Sequence, residues 1–210
     1  MKTKNFGSRG FTLMEIIVIL AVLSILVATL TPVILKYVAD AQLNRAKSDV
    51  VAIATALNSI IQDTGQYPGS LADNNFVCGP GGFATVGSTG WASAATGAVN
   101  TAACALTGHT PSLGAPNSLA SHLIVNDPNN DGAATGDYKT SGNNRWKGPY
   151  VQSLNEDPWG NAYQVNVSTL KGSDTNPTWV ISAGPDGIFQ TSTTATTLAS
   201  GSDDIGIRVK

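Results

Sequence analysis

Charge, histidine and cysteine are all scarce in this chain of 210 residues. Charged residues make up 12% of it and hydrophobic residues 42%, a balance too apolar for a disordered protein and low in charge for a cytosolic enzyme. The formal net charge is −2, so the chain as a whole lacks the basic surface that binds duplex nucleic acid. We therefore expect a folded domain with a core, and no nucleic-acid partner.

Signatures of catalysis are missing as well. The sequence has no nucleophile elbow, no Walker loop, no HExxH and no GxGxxG motif, and each of these would mark a specific reaction chemistry. His109 and His122 lie in loop-like sequence with no obvious partner. We expect a chain that is not an enzyme, with a membrane-anchored enzyme or binding module as the alternative.

The two cysteines, Cys78 and Cys104, do not form a CxxC pair, which argues against zinc and thioredoxin-type sites. In an oxidising compartment they could form one disulfide. It would close a loop of roughly 25 residues and contribute about 3 kcal/mol through chain entropy. Two free thiols in a loop are the alternative.

Charge is absent from the whole segment between Ile16 and Leu35. At about 1.5 Å per residue these residues span roughly 30 Å, the thickness of a hydrocarbon core, and the run is longer than the apolar part of a secretory signal peptide. Lys2, Lys4 and Arg9 precede it. Because basic flanks stay cytoplasmic, the C-terminal bulk should lie outside.

One acid, Glu15, stands at the head of this apolar run. Inserting a charge there costs at least about 2.5 kcal/mol, so a partner is expected. No Lys or Arg lies within the run, so the segment itself offers no partner. Cleavage between Gly10 and Phe11 would create an α-amine that could pair with Glu15 of the same or a neighbouring chain. The alternative is an ordinary signal-anchor whose Glu snorkels to the interface.

Beyond Lys36 the helical pattern continues but becomes amphipathic. "TGQYP" ends it after Thr64, so one helix is predicted from about Phe11 to Thr64. Its second half needs a sheet to cover the apolar stripe, since about three heptads with small alanines are a poor coiled coil. Apolar residues recur at spacings of four and three, at Ala39, Leu43, Ala46, Val50, Ile53, Leu57 and Ile60.

The remainder divides into a Gly/Ala/Ser/Thr-rich region, predicted as loop or short strands, and a strand-forming end. "DPWGNAYQVNV" at 157–167 and "TWVIS" at 178–182 indicate a turn and two antiparallel strands. Within the Gly/Ala/Ser/Thr-rich region, Asp127, Asn129 and Asp131 match the start of a calcium loop. The loop lacks its final Glu, so an Asx-rich turn without metal is the alternative.

The N-terminus resembles the class III signal of type IV prepilins and type II secretion pseudopilins. The shared pattern is a basic leader ending in Gly10, then Phe11, Glu15 and an apolar helix containing Pro32. The resemblance implies that a prepilin peptidase cuts after Gly10 and that Phe11 is then methylated. It also implies that Glu15 pairs with the N-terminus of the adjacent subunit in a filament.

The C-terminal part resembles the major pseudopilin of type II secretion more closely than the adhesive type IV pilins. In that family the closing loop binds one Ca²⁺, which implies Asp186, Asp203 and Asp204 as ligands here; a solvated acidic tail is the alternative. A Ser/Thr-rich stretch after Gly187 makes this loop longer than the family's. The matching motifs are "QYP" at 66–68, "GPYV" at 148–151, "DPWGNAY" at 157–163, "SAGPDG" at 182–187 and "DDI" at 203–205.

The resemblance implies an α+β fold, in which a long N-terminal transmembrane-plus-amphipathic helix packs on a small antiparallel sheet, the type IV pilin fold. It implies a homopolymeric periplasmic pseudopilus subunit that is first anchored by a single pass in the bacterial inner membrane. Minor pseudopilins and an inner-membrane assembly platform would be its partners, and a type IV pilin for adhesion, motility or DNA uptake is the alternative. The expected divisions are a leader at 1–10, a membrane and filament-core helix at 11–35, an amphipathic helix at 36–64, a variable region at 65–145, and the sheet with its calcium loop at 146–210.

Overall fold

The computed structural model describes residues 11–68, 76–78, 85–86, 118–128, 134–170 and 175–209. Two compact units divide the chain, one ending at Gln42 and the other beginning at Leu43. The elements are α1 (Leu13–Thr64), β1 (Phe76–Cys78), β2 (Thr85–Val86), α2 (Leu119–Leu123), β3 (Gln164–Asn166), a 3₁₀ helix (Val167–Leu170), β4 (Trp179–Ser182), β5 (Ile188–Phe189) and β6 (Ile205–Arg208).

In the first unit the described chain is the N-terminal part of α1. Every residue from 11 to 41 is exposed, and by length and composition α1 is long and apolar enough to cross a membrane. The helix continues through Pro32. A helical surface that is apolar on all sides and exposed among the described residues is typical of a segment surrounded by lipid or by other subunits.

In the second unit the C-terminal part of α1 covers a four-stranded sheet. The strand order is β1-β3-β4-β6 and all three pairings are antiparallel. This arrangement confirms the predicted α+β fold of the type IV pilin kind. The shared core contains Ala46, Val50, Ile53, Leu57 and Ile60 from the helix and Val165 and Val180 from the sheet.

The sheet differs in detail from the sequence expectation. The first strand, β1, comes from the variable region and pairs with β3, so β3 lies inside the sheet instead of at its edge. Gln164 and Asn166 of β3 are therefore buried together with Val165. A second, two-stranded sheet joins β2 in parallel to β5. Partners this far apart in sequence leave no local signal that would predict them.

The short helix α2 was not predicted. Its N-cap is Ser118, whose hydroxyl accepts the N–H of Ser121 at 3.0 Å. Five residues are too few to show helical periodicity or to be stable alone. Tertiary contacts hold the helix: Trp146 Nε1 donates to His122 O at 3.1 Å, and Tyr150 N donates to Leu123 O at 2.8 Å.

Candidate functional site

The N-terminal turn of α1 gives Glu15 a local partner. Glu15 Oε2 accepts the N–H of Thr12 at 2.7 Å and its hydroxyl at 2.9 Å, while Glu15 N donates to Thr12 Oγ1 at 3.3 Å. This reciprocal arrangement is a capping box. Thr12 is uncharged and precedes the apolar run, so these bonds do not contradict the expectation that the run offers no positive partner; the T-x-x-E spacing of residues 12–15 is a local signal that the sequence reasoning missed.

The capping box hydrogen-bonds the carboxylate but brings no positive charge to it. Phe11 is 78% exposed, and Gly10 lies outside the described residues. Cleavage after Gly10 would remove the peptide bond on Phe11 and leave an amine one residue before Thr12. Pairing between Glu15 and that amine stays a prediction.

The three acids predicted to bind calcium lie in the connection from β4 to β6. Asp186 N donates to Asp203 Oδ2 at 3.1 Å. Asp204 Oδ2 accepts the backbone N–H groups of Gln190 at 3.1 Å and Thr191 at 2.6 Å. We call residues 183–204, which connect β4 to β6, the acidic loop. Hydrogen bonds thus connect the first part of the acidic loop to Asp203 and Asp204 at its end.

Asp204 has the environment of a carboxylate that lacks a counter-ion. It is 6% exposed, and its Oδ1 is buried and accepts no hydrogen bond from any described residue. The pKa of Asp204 is raised above its usual value, mainly by burial and also by the charge of Asp203. Hydrogen bonds from Thr191 and Gln190 offset part of this rise. A hard cation would satisfy such an oxygen, since calcium prefers carboxylate and carbonyl ligands.

The donor chemistry therefore fits calcium, although the three carboxylates do not converge on one point. Across the described ranges, no group of three or more His, Cys, Asp or Glu side chains is arranged to hold a metal ion. Asp186 is engaged locally, since its Oδ1 accepts Ile188 N at 2.8 Å and its Oδ2 accepts Gln190 Nε2 at 2.6 Å.

The Ser/Thr-rich stretch that lengthens this loop is held against the sheet. Trp179 Nε1 on β4 donates to Ala195 O at 2.8 Å, and Ala199 N donates to Thr191 Oγ1 at 3.0 Å. The extra residues therefore have their own contacts with the fold.

The other predicted site residues are only partly within the described chain. Asp127 is described, but Asn129 and Asp131 fall outside, so a second calcium site stays a prediction. Cys78 lies in β1 and Cys104 lies outside the described residues, so their disulfide also stays a prediction.

His122 is not the loop residue that the sequence suggested. It is fully buried in α2, and its Nδ1 lies 2.7 Å from Tyr138 Oη. Burial lowers the pKa of His122 to about 4. Tyr138 is itself held by Asn126, which accepts its N–H at 3.1 Å and donates to its carbonyl at 3.0 Å. This histidine is part of the core.

Comparison with known proteins gives two family matches at different positions. The prokaryotic N-terminal methylation motif matches residues 5–31, and the family described as Type II secretion system (T2SS), protein G matches residues 128–200. No solved structure matches significantly.

A curated relative is the Type II secretion system core protein G of Pectobacterium carotovorum subsp. carotovorum. It is 33% identical over 64 residues, which are 30% of this chain and 41% of that protein. The matched part thus spans about two fifths of the relative's length. With a methylation motif near its N-terminus and a protein G match after it, the chain is similar to pseudopilins of type II secretion in both regions.

Proposed function

We propose that this chain is a structural subunit of a periplasmic pseudopilus, polymerised from the inner membrane by a type II secretion system to drive protein export. The observation that carries the proposal is the combination, in one chain, of a methylation motif, an uncovered apolar helix and a protein G domain. Such a subunit works by assembly and catalyses no reaction.

In this proposal the N-terminal residues act in sequence. A prepilin peptidase cuts after Gly10, Phe11 becomes the methylated N-terminus, and Glu15 pairs with the N-terminus of the neighbouring subunit. The helix around Pro32 packs in the filament core. Other copies of the chain, minor pseudopilins and the inner-membrane assembly platform are the proposed partners.

Processing can be read from the intact mass of the chain purified from membranes. The expected mass lacks the first ten residues and carries one added methyl group. Recovery of the uncut chain alone, with its leader retained, would instead favour a membrane-anchored enzyme or binding module.

We further propose that Ca²⁺ binds the acidic loop through Asp186, Asp203 and Asp204. The buried, unsatisfied Oδ1 of Asp204 supports this. When bound, the cation would neutralise acids that otherwise repel one another and would hold the two ends of the loop together. A second calcium ion at Asp127, Asn129 and Asp131 is a separate and weaker proposal.

Calcium binding should stabilise the folded chain. At a calcium concentration 100 times the dissociation constant the gain would be about 3 kcal/mol, so chelation should lower the melting temperature of the full chain in detergent. Asp203→Ala should remove that sensitivity. A melting temperature that does not respond to chelator in the wild-type chain would contradict the calcium site.

The export function is tested by deleting the chain's coding sequence and comparing the proteins in the culture medium at matched growth. The expected result is loss of a set of secreted proteins while surface fibres are unchanged. An unchanged secretome with altered surface fibres or motility would contradict the proposal and point to a type IV pilin.

A further inference from the structure

The turn before β3 contains a buried carboxylate with no role in the function proposed above. Asp157 is 2% exposed. Its Oδ1 accepts the N–H of Trp159 at 3.0 Å and of Asn161 at 2.7 Å. In the same turn Asp157 N donates to Asn161 O at 2.9 Å, and Gly160 N donates to Asp157 O at 3.0 Å. One oxygen of Asp157 therefore closes the turn.

The other oxygen reaches the acidic loop. Ser182, the last residue of β4, donates its hydroxyl to Asp157 Oδ2 at 2.6 Å. Gly184 N donates to Ser182 Oγ at 3.1 Å, and Asn161 Nδ2 donates to Gly184 O at 3.4 Å. The backbone of Gly184 is thus held at both its N–H and its carbonyl by the Asp157 turn.

Gly184 in turn supports the far end of the loop. Its φ is +70°, and a Cβ at this position would stand only 2.3 Å from Asp203 O. Backbone packs directly on backbone here, so a shift of Gly184 must move Asp203. Asp186 is two residues further along, within the same turn.

We propose that Asp157 is a positioning residue for the acidic loop: through Ser182 and Asn161 it fixes Gly184, and so restrains the backbone that carries Asp186 and Asp203, to which a divalent cation would bind. This inference rests on the calcium site proposed above. Residues that orient metal ligands without touching the metal commonly change affinity about 10- to 100-fold when they are lost.

The test is a calorimetric titration of the full chain, in detergent and freed of metal, with calcium chloride. Ser182→Ala breaks the link while leaving the two N–H bonds to Asp157 Oδ1 in place. It should weaken calcium binding about tenfold. Asp157→Ala should weaken it at least as much. The double variant should bind no more weakly than the worse single variant, because both changes remove one shared connection.

Thr64→Ala is the matched control. Its hydroxyl is also buried and donates to Ile60 O at 2.7 Å, but at the C-terminal end of α1. It should lower the melting temperature and leave the calcium dissociation constant unchanged. This separates a positioning role from a general loss of stability.

Three outcomes are distinguishable. Weaker binding in Ser182→Ala but not in Thr64→Ala supports the inference. Unchanged binding in Ser182→Ala, with calcium still bound by the wild type, overturns it and leaves the metal site standing. A wild-type chain that takes up no calcium overturns the metal site and this inference together. If Asp157→Ala does not fold, the calcium affinity of Ser182→Ala alone decides whether the inference holds.

Discussion

At the scale of single residues, several polar side chains connect segments that are distant in sequence. Tyr163 donates its hydroxyl to Asp49 Oδ2 at 3.0 Å, which ties the start of β3 to α1. At the C-terminal end of the same helix, Asp63 binds Lys147 Nζ at 2.5 Å and Tyr150 Oη at 3.1 Å. The bond of Tyr163 matters most for stability, because this side chain is buried and the loss of its partner would leave a desolvated hydroxyl unpaired, whereas Lys147 is exposed to water.

His122 is a buried titratable side chain that bonds to Tyr138, and it makes the free energy of unfolding depend on pH. Its ordinary pKa of 6.5 falls to about 4 in the folded chain. Between pH 6.5 and about pH 4, His122 therefore binds a proton in the unfolded chain but not in the folded chain. Stability should therefore be full above about pH 6.5 and fall as the pH drops towards 4. The total loss should be about 3 kcal/mol.

The measurement is the free energy of unfolding of the full chain in detergent between pH 7.5 and pH 4, a range set by the usual histidine pKa of about 6.5. His122→Gln cannot titrate, so its profile should lack this component while retaining any contribution from the buried acids. Parallel profiles for the two chains would show that His122 contributes nothing to the pH dependence.

At the scale of elements, α1 combines two kinds of surface. Its N-terminal part is exposed among the described residues, whereas from Ala46 onward one side packs into the core of the second unit. The 3.6-residue repeat places residues three or four apart on one face, so each turn has both buried and exposed positions. Leu57 is 0% exposed and Val51 is 48% exposed. A substitution at Leu57 therefore tests the packing of α1 on the core, and one at Val51 is its control on the same helix.

Leu57→Ala should destabilise the second unit by about 2–5 kcal/mol, because it removes buried apolar surface and leaves a cavity. In a protein of this size that corresponds to a fall of about 5–15 °C in melting temperature. Val51→Ala should change stability by no more than about 0.5 kcal/mol. Tryptophan fluorescence during heating would report both, and equal shifts would contradict the helix-on-sheet packing.

At the scale of the whole molecule, an uncovered apolar helix can be stable only in lipid or among other copies of itself. Exposed large hydrophobic side chains run from Phe11 to Val38, far more than a soluble monomer tolerates. In the proposed filament, assembly would transfer this surface from one apolar environment to another, and Glu15 would need a positive partner in both.

Glu15→Ala should leave cleavage after Gly10 intact but reduce filament yield strongly. The carboxylate is proposed to offset the α-amine of the neighbouring subunit, and alanine cannot do so. The measurement is the fraction of processed chain in sheared, pelleted filaments. Thr12→Ala is the matched control, since it removes the two hydrogen bonds of the Thr12 hydroxyl with Glu15 but keeps the charge. A normal filament yield from Glu15→Ala would rule out pairing between subunits.

The sequence alone determined the features that depend on local pattern. The apolar run, the amphipathic stripe, the stop after Thr64 and the paired strands β3 and β4 all follow from periodicity and turn residues near one another in the chain. The N-terminal signal is equally local.

Only the tertiary structure decided what depends on contacts between distant segments. In the folded chain, β1 and β2 pair with strands more than 85 residues away. His122 is buried against Tyr138, and Asp157 bonds to Ser182 at the start of the acidic loop. A hydrogen bond between such residues carries no sequence periodicity. It forms because packing brings the groups together, and a buried polar group that finds a partner avoids most of the cost of losing water.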